Sequence, residues 1–156
     1  MGIHKQVLFR LGGEEYGLDI FSVEEIVQHI PLQPAPTPSK HIAGMIHRRN
    51  QVVPVYNLRA RFGLPDAPIV TLAIVLVKGM KVALAIDQVV EIVEPEEEEV
   101  HMAPPLLRMT DTAYVGQVIR VKGRLVVLLD LDTLLTEGEQ ERVEAMLRTG
   151  NANPTG

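Results

Sequence analysis

The sequence predicts a mainly β protein: two small barrels of roughly five strands each, with short helices and a C-terminal helix. Three observations lead there. The chain of 156 residues is 46% hydrophobic but carries only three Phe, three Tyr and no Trp, so its core must be built from Val, Ile and Leu, and β-branched runs favour strands. Those runs are short and separated by turn residues. The pattern also repeats: Leu8 to Val27, slid by 66 positions onto Ile74 to Val93, is identical at seven of 20 positions, and both copies close on Glu-Ile-Val. A shift of 73 brings Val53 onto Val126 and Leu58 onto Leu131. Closing each copy into a barrel removes exposed strand edges.

In chain order, Gln6 to Leu11 reads as a strand, Gly12-Gly13-Glu14-Glu15 as its turn and Tyr16 to Ile20 as the return. Val23 to His29 is a third strand. The proline-rich connector Pro31 to Pro38 should be extended and exposed. Ile42 to Arg48 and Gln51 to Tyr56 form a hairpin, and Asn57 to Phe62 a short helix ended by Gly63. The second copy follows suit. Val70 to Val77 and Lys81 to Ile86 flank Lys78-Gly79-Met80, and Val89 to Val93 is its third strand. An acidic connector, EPEEEEVHMAPP, leads to Tyr114 to Val121 and Leu125 to Leu129 around Lys122-Gly123-Arg124. Asp130 to Leu135 is a short helix. Thr136 and Glu139 fit a capping box. Val143, Met146 and Leu147 then fall at helical spacing. The expected division is a first subdomain over roughly 6–66, a second over roughly 67–136 with strands open to exchange between them, a helix over 137–149 and a disordered tail over 150–156.

The charge balance narrows the function. A net charge of −5 argues against nucleic acid gripped over a broad face. Zero cysteines exclude disulfides, thiol nucleophiles and thiolate metal sites, and suit the cytoplasm. The start meets Glu14 and Glu15 early, unlike a secretory signal, and no apolar run reaches bilayer-spanning length. No G-x-S-x-G, P-loop or H-E-x-x-H occurs. His41, His47 and His101 read either as a three-histidine metal site or as unrelated exposed side chains. Glu94 and Glu96 to Glu99 read as a solvated loop. The arginines Arg48, Arg49, Arg59 and Arg61 have three readings: solvated surface, an anionic-polymer patch, or a protein-recognition site.

The stretch I-A-G-M-I-H-R-R-N-Q-V-V-P-V-Y-N-L-R-A-R-F-G, Ile42 to Gly63, resembles the pattern I-x-G-V-I-N-L-R-G-x-V-V-P-V-x-D-L-R-x-x-F-G of the CheW-like family, the coupling proteins of bacterial chemosensory arrays. Gly44, Arg49, Val53-Pro54-Val55, Leu58-Arg59 and Phe62-Gly63 agree. F-R-L-G-G-E-E-Y-G-L-D-I-F-S-V-E-E-I, Phe9 to Ile26, and L-V-V-L-L-D-L-D-T-L-L near the end resemble it as well. The resemblance spans about residues 6 to 136.

It implies two SH3-like five-stranded barrels, no enzymatic activity, no cofactor and a cytoplasmic adaptor. Its implied partners are a histidine kinase regulatory domain and a chemoreceptor cytoplasmic tip, with the receptor in a groove between the barrels. Like barrels can pair, which leaves weak self-association open. The positions matching the family's receptor-side residues are Val23, Glu25, Gly44 and Arg49, with Leu72 and Ala83 from the second barrel. His47 and Arg48 depart from the usual Asn and Leu, adding charge at the recognition edge. Asn50 replaces the turn glycine and tolerates positive φ. These departures bear on partner identity, up to a module of a pathway unrelated to motility.

Overall fold

Tight two-residue turns set the local structure. Gly12-Gly13, Arg49-Asn50, Lys78-Gly79 and Lys122-Gly123 all have positive φ at both positions, from 50° at Lys78 and Lys122 to 92° at Gly13. This geometry matches the right-handed twist of the flanking strands and folds each pair into a hairpin. The computed structural model describes residues 4–36, 39–102 and 114–151. The hairpins are β1 (Gln6–Leu11) with β2 (Glu14–Asp19), β4 (Ile42–Arg48) with β5 (Gln51–Asn57), β6 (Thr71–Val77) with β7 (Met80–Ile86), and β10 (Val115–Val121) with β11 (Arg124–Leu129). The third strands of the two repeats are β3 (Val23–Gln28) and β8 (Gln88–Val93).

The sheets do not follow the sequence copies. One runs β8-β1-β2-β11-β10-β9 and the other β3-β6-β7-β5-β4, where β9 is Val100–Met102. Two compact units result. The first holds residues 1–23 and 87–134, the second 24–86 and 135–156. The expected split into 6–66 and 67–136 is therefore corrected. Each unit joins the first two strands of one copy to the last three of the other. The reason lies between the second and third strands. In the second copy that link is Asp87 alone, too short for a hairpin turn. β8 therefore leaves β7 and pairs antiparallel with β1. In the first copy the link is a 3-10 turn, Ile20–Ser22, whose Phe21 amide donates to the Asp19 carboxylate at 2.9 Å. Asp87 anchors the crossing: its amide donates to the Arg10 carbonyl at 3.1 Å and its carboxylate accepts from the Gly12 amide at 2.9 Å.

The mainly β, two-barrel fold class holds, with one addition. The second unit's sheet has the expected five strands, while the first gains β9 inside the acidic connector. The glutamates before β9 form a 3-10 turn, Glu97–Glu99, closed by a reciprocal capping box between Glu96 and Glu99.

Each unit has its own aliphatic core. In the first, Leu8, Ile119, Val121, Val126 and Leu128 pack together. In the second, Val27, Ile46, Val53, Val55, Leu72, Ile74, Ala83 and Ala85 do so, with Ile30 and Leu32 of the connector packed against them. Burying one such Leu or Ile contributes about 1.5–3 kcal/mol. Gln33 ties the connector to β4 through paired backbone hydrogen bonds with Met45, both 2.8 Å.

The short helices α1 (Leu58–Arg61) and α2 (Leu131–Leu134) follow β5 and β11 at repeat-equivalent positions. Helix α3 runs Glu137–Asn151, two residues past the expected end at 149. Gly150 and Asn151, expected in the disordered tail, thus continue the helix. Residues 152–156 and the connector's 37–38 lie outside the described residues. Val143 and Met146 are the buried face of α3. At its start the Glu139 amide donates to Thr136 Oγ1 at 3.2 Å and the Thr136 amide to Glu139 Oε1 at 2.9 Å, the capping box read from the sequence.

Candidate functional site

β3 and β4 are the two ends of the second unit's sheet, and side chains join them. Glu25 lies on β3, Arg48 is the last residue of β4 and Arg49 the first of the turn. Arg48 Nε donates to Glu25 Oε1 at 2.9 Å and its Nη2 to Oε2 at 3.0 Å. This fork-on-carboxylate geometry is the strong form of a charge-assisted pair. Arg49 Nη2 sits 3.6 Å from the same Oε2, longer than a hydrogen bond. Arg49 is 71% exposed, against 35% for Arg48 and 23% for Glu25. The Arg48 hydrogen bonds outweigh partial burial and, with a smaller share from Arg49, hold the Glu25 carboxyl down to about 2. Glu25 in turn raises Arg48. The preceding Glu24 points the other way, as strand alternation requires, and pairs with Lys81 at 3.3 Å.

Glu25, Arg48, Arg49 and Asn50 are thus assembled at one corner. Asn50 has φ 63°, so it fills the turn glycine's conformation. His47 is exposed on β4, opposite Val52. Val23 is half-buried at the first position of β3.

Three other candidates belong to the structure's interior. Gly44 is buried, and a Cβ on it would meet the Gln33 carbonyl oxygen at 2.5 Å. Its space is filled by this chain's own connector. Leu72 and Ala83, expected on a recognition surface contributed by a second barrel, are 1% and 0% exposed. They sit in the same unit as Glu25 and Arg49, packed among Ile46, Val53 and Val55. Their side chains offer nothing to a partner, because β6 and β7 are the central strands of this sheet.

A second corner stands in the first unit. Glu91, the repeat equivalent of Glu25, accepts from Arg124 Nη2 at 3.0 Å and from Lys122 Nζ at 3.4 Å. Arg124 lowers the Glu91 carboxyl, against partial burial and with help from Lys122. Arg124 Nε lies 3.3 Å from Glu15.

The other arginines of the proposed anionic patch are engaged locally. Arg59 Nη1 donates to the Pro65 carbonyl at 2.9 Å, and Arg61 interacts with the Tyr56 hydroxyl. Among the described residues no group of three His, Cys, Asp or Glu side chains is placed to hold a metal ion. His41 instead contacts the Glu139 carboxylate at 2.6 Å, which also accepts from the Tyr56 hydroxyl at 2.9 Å. Burial pushes Tyr56 up, and the Glu139 charge adds to it. Burial also pushes Glu139 up, but the Thr136 amide, His41 and Tyr56 together hold it below the ordinary carboxylate range. Sequence reasoning found Glu139 as a cap and missed it as the anchor of α3. It likewise named Glu25 and Arg48 without pairing them, although their opposite charges were the available signal.

Comparison with known proteins gives a consistent result. The CheW-like domain family matches residues 5–139. "Chemotaxis protein CheW" of Treponema pallidum is 27% identical over 144 residues, covering 88% of this chain and 85% of that protein. The Rhizobium meliloti protein of the same name is 28% identical over 143 residues, covering 90% and 92%. The crystal structure of the scaffolding protein TtCheW from Thermoanaerobacter tengcongensis superposes with a TM-score of 0.80 at 31% identity, covering 88% of this chain and 96% of that one.

Proposed function

From the premise that the chain belongs to the CheW-like family, we propose that it is a non-catalytic chemotaxis adaptor that couples the cytoplasmic tip of a chemoreceptor to the regulatory domain of a histidine kinase. Its place of action is the cytoplasm. Among the described residues no helix is long and apolar enough to cross a membrane.

The observation that carries the reading is the family match over nearly the whole chain, combined with an exposed Arg49 at the tip of a two-residue hairpin turn. A scaffold needs protein-facing surface rather than a reaction centre. Arginine suits that surface because its fork recognises carboxylates in one orientation. Separate apolar surface is available for a second partner: Ile92 and Leu125 of the first unit are 57% and 58% exposed. An anionic-polymer role is disfavoured by the same geometry, since Glu25 already neutralises Arg48 and Arg59 is turned onto a backbone carbonyl.

Calorimetric titration of the full chain with a kinase regulatory domain and with a receptor tip fragment, both from the same organism, tests the proposal. Saturable binding to both is expected. Binding to neither overturns it, and binding to the kinase domain alone removes the receptor half.

A further inference from the structure

We propose that Arg48 is a positioning residue that occupies Glu25 and so leaves the Arg49 guanidinium only loosely paired and able to receive a carboxylate of the protein partner. The partner's identity rests on the adaptor reading; the division of labour rests on the hairpin itself.

Both Glu25 oxygens are taken by one guanidinium, Arg48, through Nε and Nη2. Arg49 reaches only to 3.6 Å of Oε2 and keeps 71% of its side chain in solvent. A guanidinium has five N–H donors in a fixed fork, and Arg49 makes one long ion pair with Glu25, at 3.6 Å. Were Arg48 apolar, Glu25 would lie half-buried beside a single arginine, and Arg49 would close onto it. Arg48 prevents that capture. The ligand chemistry follows from the surroundings. Arg49 stands beside Glu25 on a protein of net charge −5, so a densely charged polyanion is repelled at close range. A single acidic side chain on a protein surface matches one fork.

The first unit repeats the arrangement with different chemistry. There Arg124 holds Glu91 closely, and the loose turn residue is Lys122, 72% exposed. Lys122 is a point charge without a fork. At this corner the second unit presents an exposed, loosely paired guanidinium instead.

Two measurements on the full chain test the proposal. In the free protein, the Nε–H of Arg48 should exchange about tenfold or more slowly than that of Arg49, as for a donor held by a carboxylate. Equal protection, or greater protection at Arg49, overturns the division of labour. In titrations with the receptor tip fragment, Arg49→Met should weaken binding by about tenfold or more. Arg48→Met should weaken it several-fold by letting Glu25 capture Arg49, and adding Glu25→Gln to that variant should restore it. A direct contact between Arg48 and the partner predicts no restoration. A double variant as weak as Arg48→Met therefore overturns the proposal, as does Glu25→Gln alone binding as weakly as Arg49→Met. Wild-type failure to bind the fragment refutes the partner carboxylate together with the receptor half of the adaptor reading, while the exchange measurement still decides the Arg48–Glu25 half.

Discussion

The Glu25 corner and the Glu91 corner occupy equivalent places in the two halves of the repeat, yet they are closed by different residues. Glu25 is gripped by Arg48, from the end of the strand before the turn. Glu91 is gripped by Arg124, from the start of the strand after it. In both, the first turn residue has φ near 50° and carries a loosely held cation, Arg49 or Lys122. The shared part is architecture: a glutamate on the third strand is tied to the hairpin of the fourth and fifth, joining elements far apart in the sheet order. The difference lies in what remains at the surface. A glutamate tied this way in both units is explained by closure of the sheet, so its presence alone is no sign of recognition.

The sharpest way to break this view is to attack Leu72, which belongs to the core beneath the Glu25 corner. Leu72→Ala should destabilise the protein by about 2–5 kcal/mol, the range for a buried Leu that leaves a cavity, seen as a lower midpoint in urea. Partner affinity should be unchanged wherever the variant is folded. Lost affinity at full stability would return Leu72 to the recognition surface.

Next in size is Glu139, an anchor that the second unit has through α3. Glu139→Ala takes the carboxylate partner from the buried Tyr56 hydroxyl and from the half-buried His41 ring and removes the reciprocal cap with Thr136. Losing a hydrogen-bond partner of a buried group costs about 1–3 kcal/mol. Loss of helical circular dichroism on mild heating, ahead of the sheet signal, is the expected result. A helical signal and a melting midpoint both unchanged by the substitution would show that α3 is held by Val143 and Met146 alone.

Gly44 tests the comparison directly. Slid by 73 positions it falls on Gln117, and both follow an irregularity in the strand register. A side chain is therefore accepted at this place in the first unit. In the second it is excluded by the connector backbone, 2.5 Å from where a Cβ would stand. Gly44→Ala should cost about 1–3 kcal/mol, as overpacking does, whereas Gln117→Ala should change stability by less than about 0.5 kcal/mol. Equal effects would mean that the connector yields.

These cases show what was legible in the sequence. Hairpins were, because paired turn residues between apolar runs leave few alternatives, and the capping box was, because it is a contiguous signal. The exchange of strands was left open but not settled. The self-similarity of Leu8–Val27 and Ile74–Val93 records two copies but not which copy completes which sheet; the shortness of the Asp87 link was the only local hint. β9 was hidden because Val100–Met102 follows four glutamates and pairs with a strand beyond a long connection. Leu72 and Ala83 were misplaced because an apolar residue in a strand carries no mark of which face meets solvent. Burial on both central strands became evident only with the sheet order.

The smallest effect, and the one that separates architecture from recognition most cleanly, is the acid response of Glu25. Its carboxyl is held at about 2, below the ordinary value near 4.3. A depressed carboxylate adds stability that is fully present above its unfolded value and fades as pH falls through its folded value. The Glu25 contribution should therefore be complete above about pH 5 and lost progressively down to about pH 2. The pair is partly solvated, so solvent screening keeps that contribution to about 1 kcal/mol or less. Glu25→Gln should lower the urea midpoint slightly at pH 7 and match wild type near pH 2, and high salt should shrink the gap at neutral pH. Glu91→Gln should show the same sign, since Arg124 lowers Glu91 too. If only Glu25 gives the acid signature, the two corners are not structural equivalents. If both do, closure of the sheet accounts for the glutamates in the two units alike, and the exposed arginine at the tip is left as the feature that distinguishes one corner from the other.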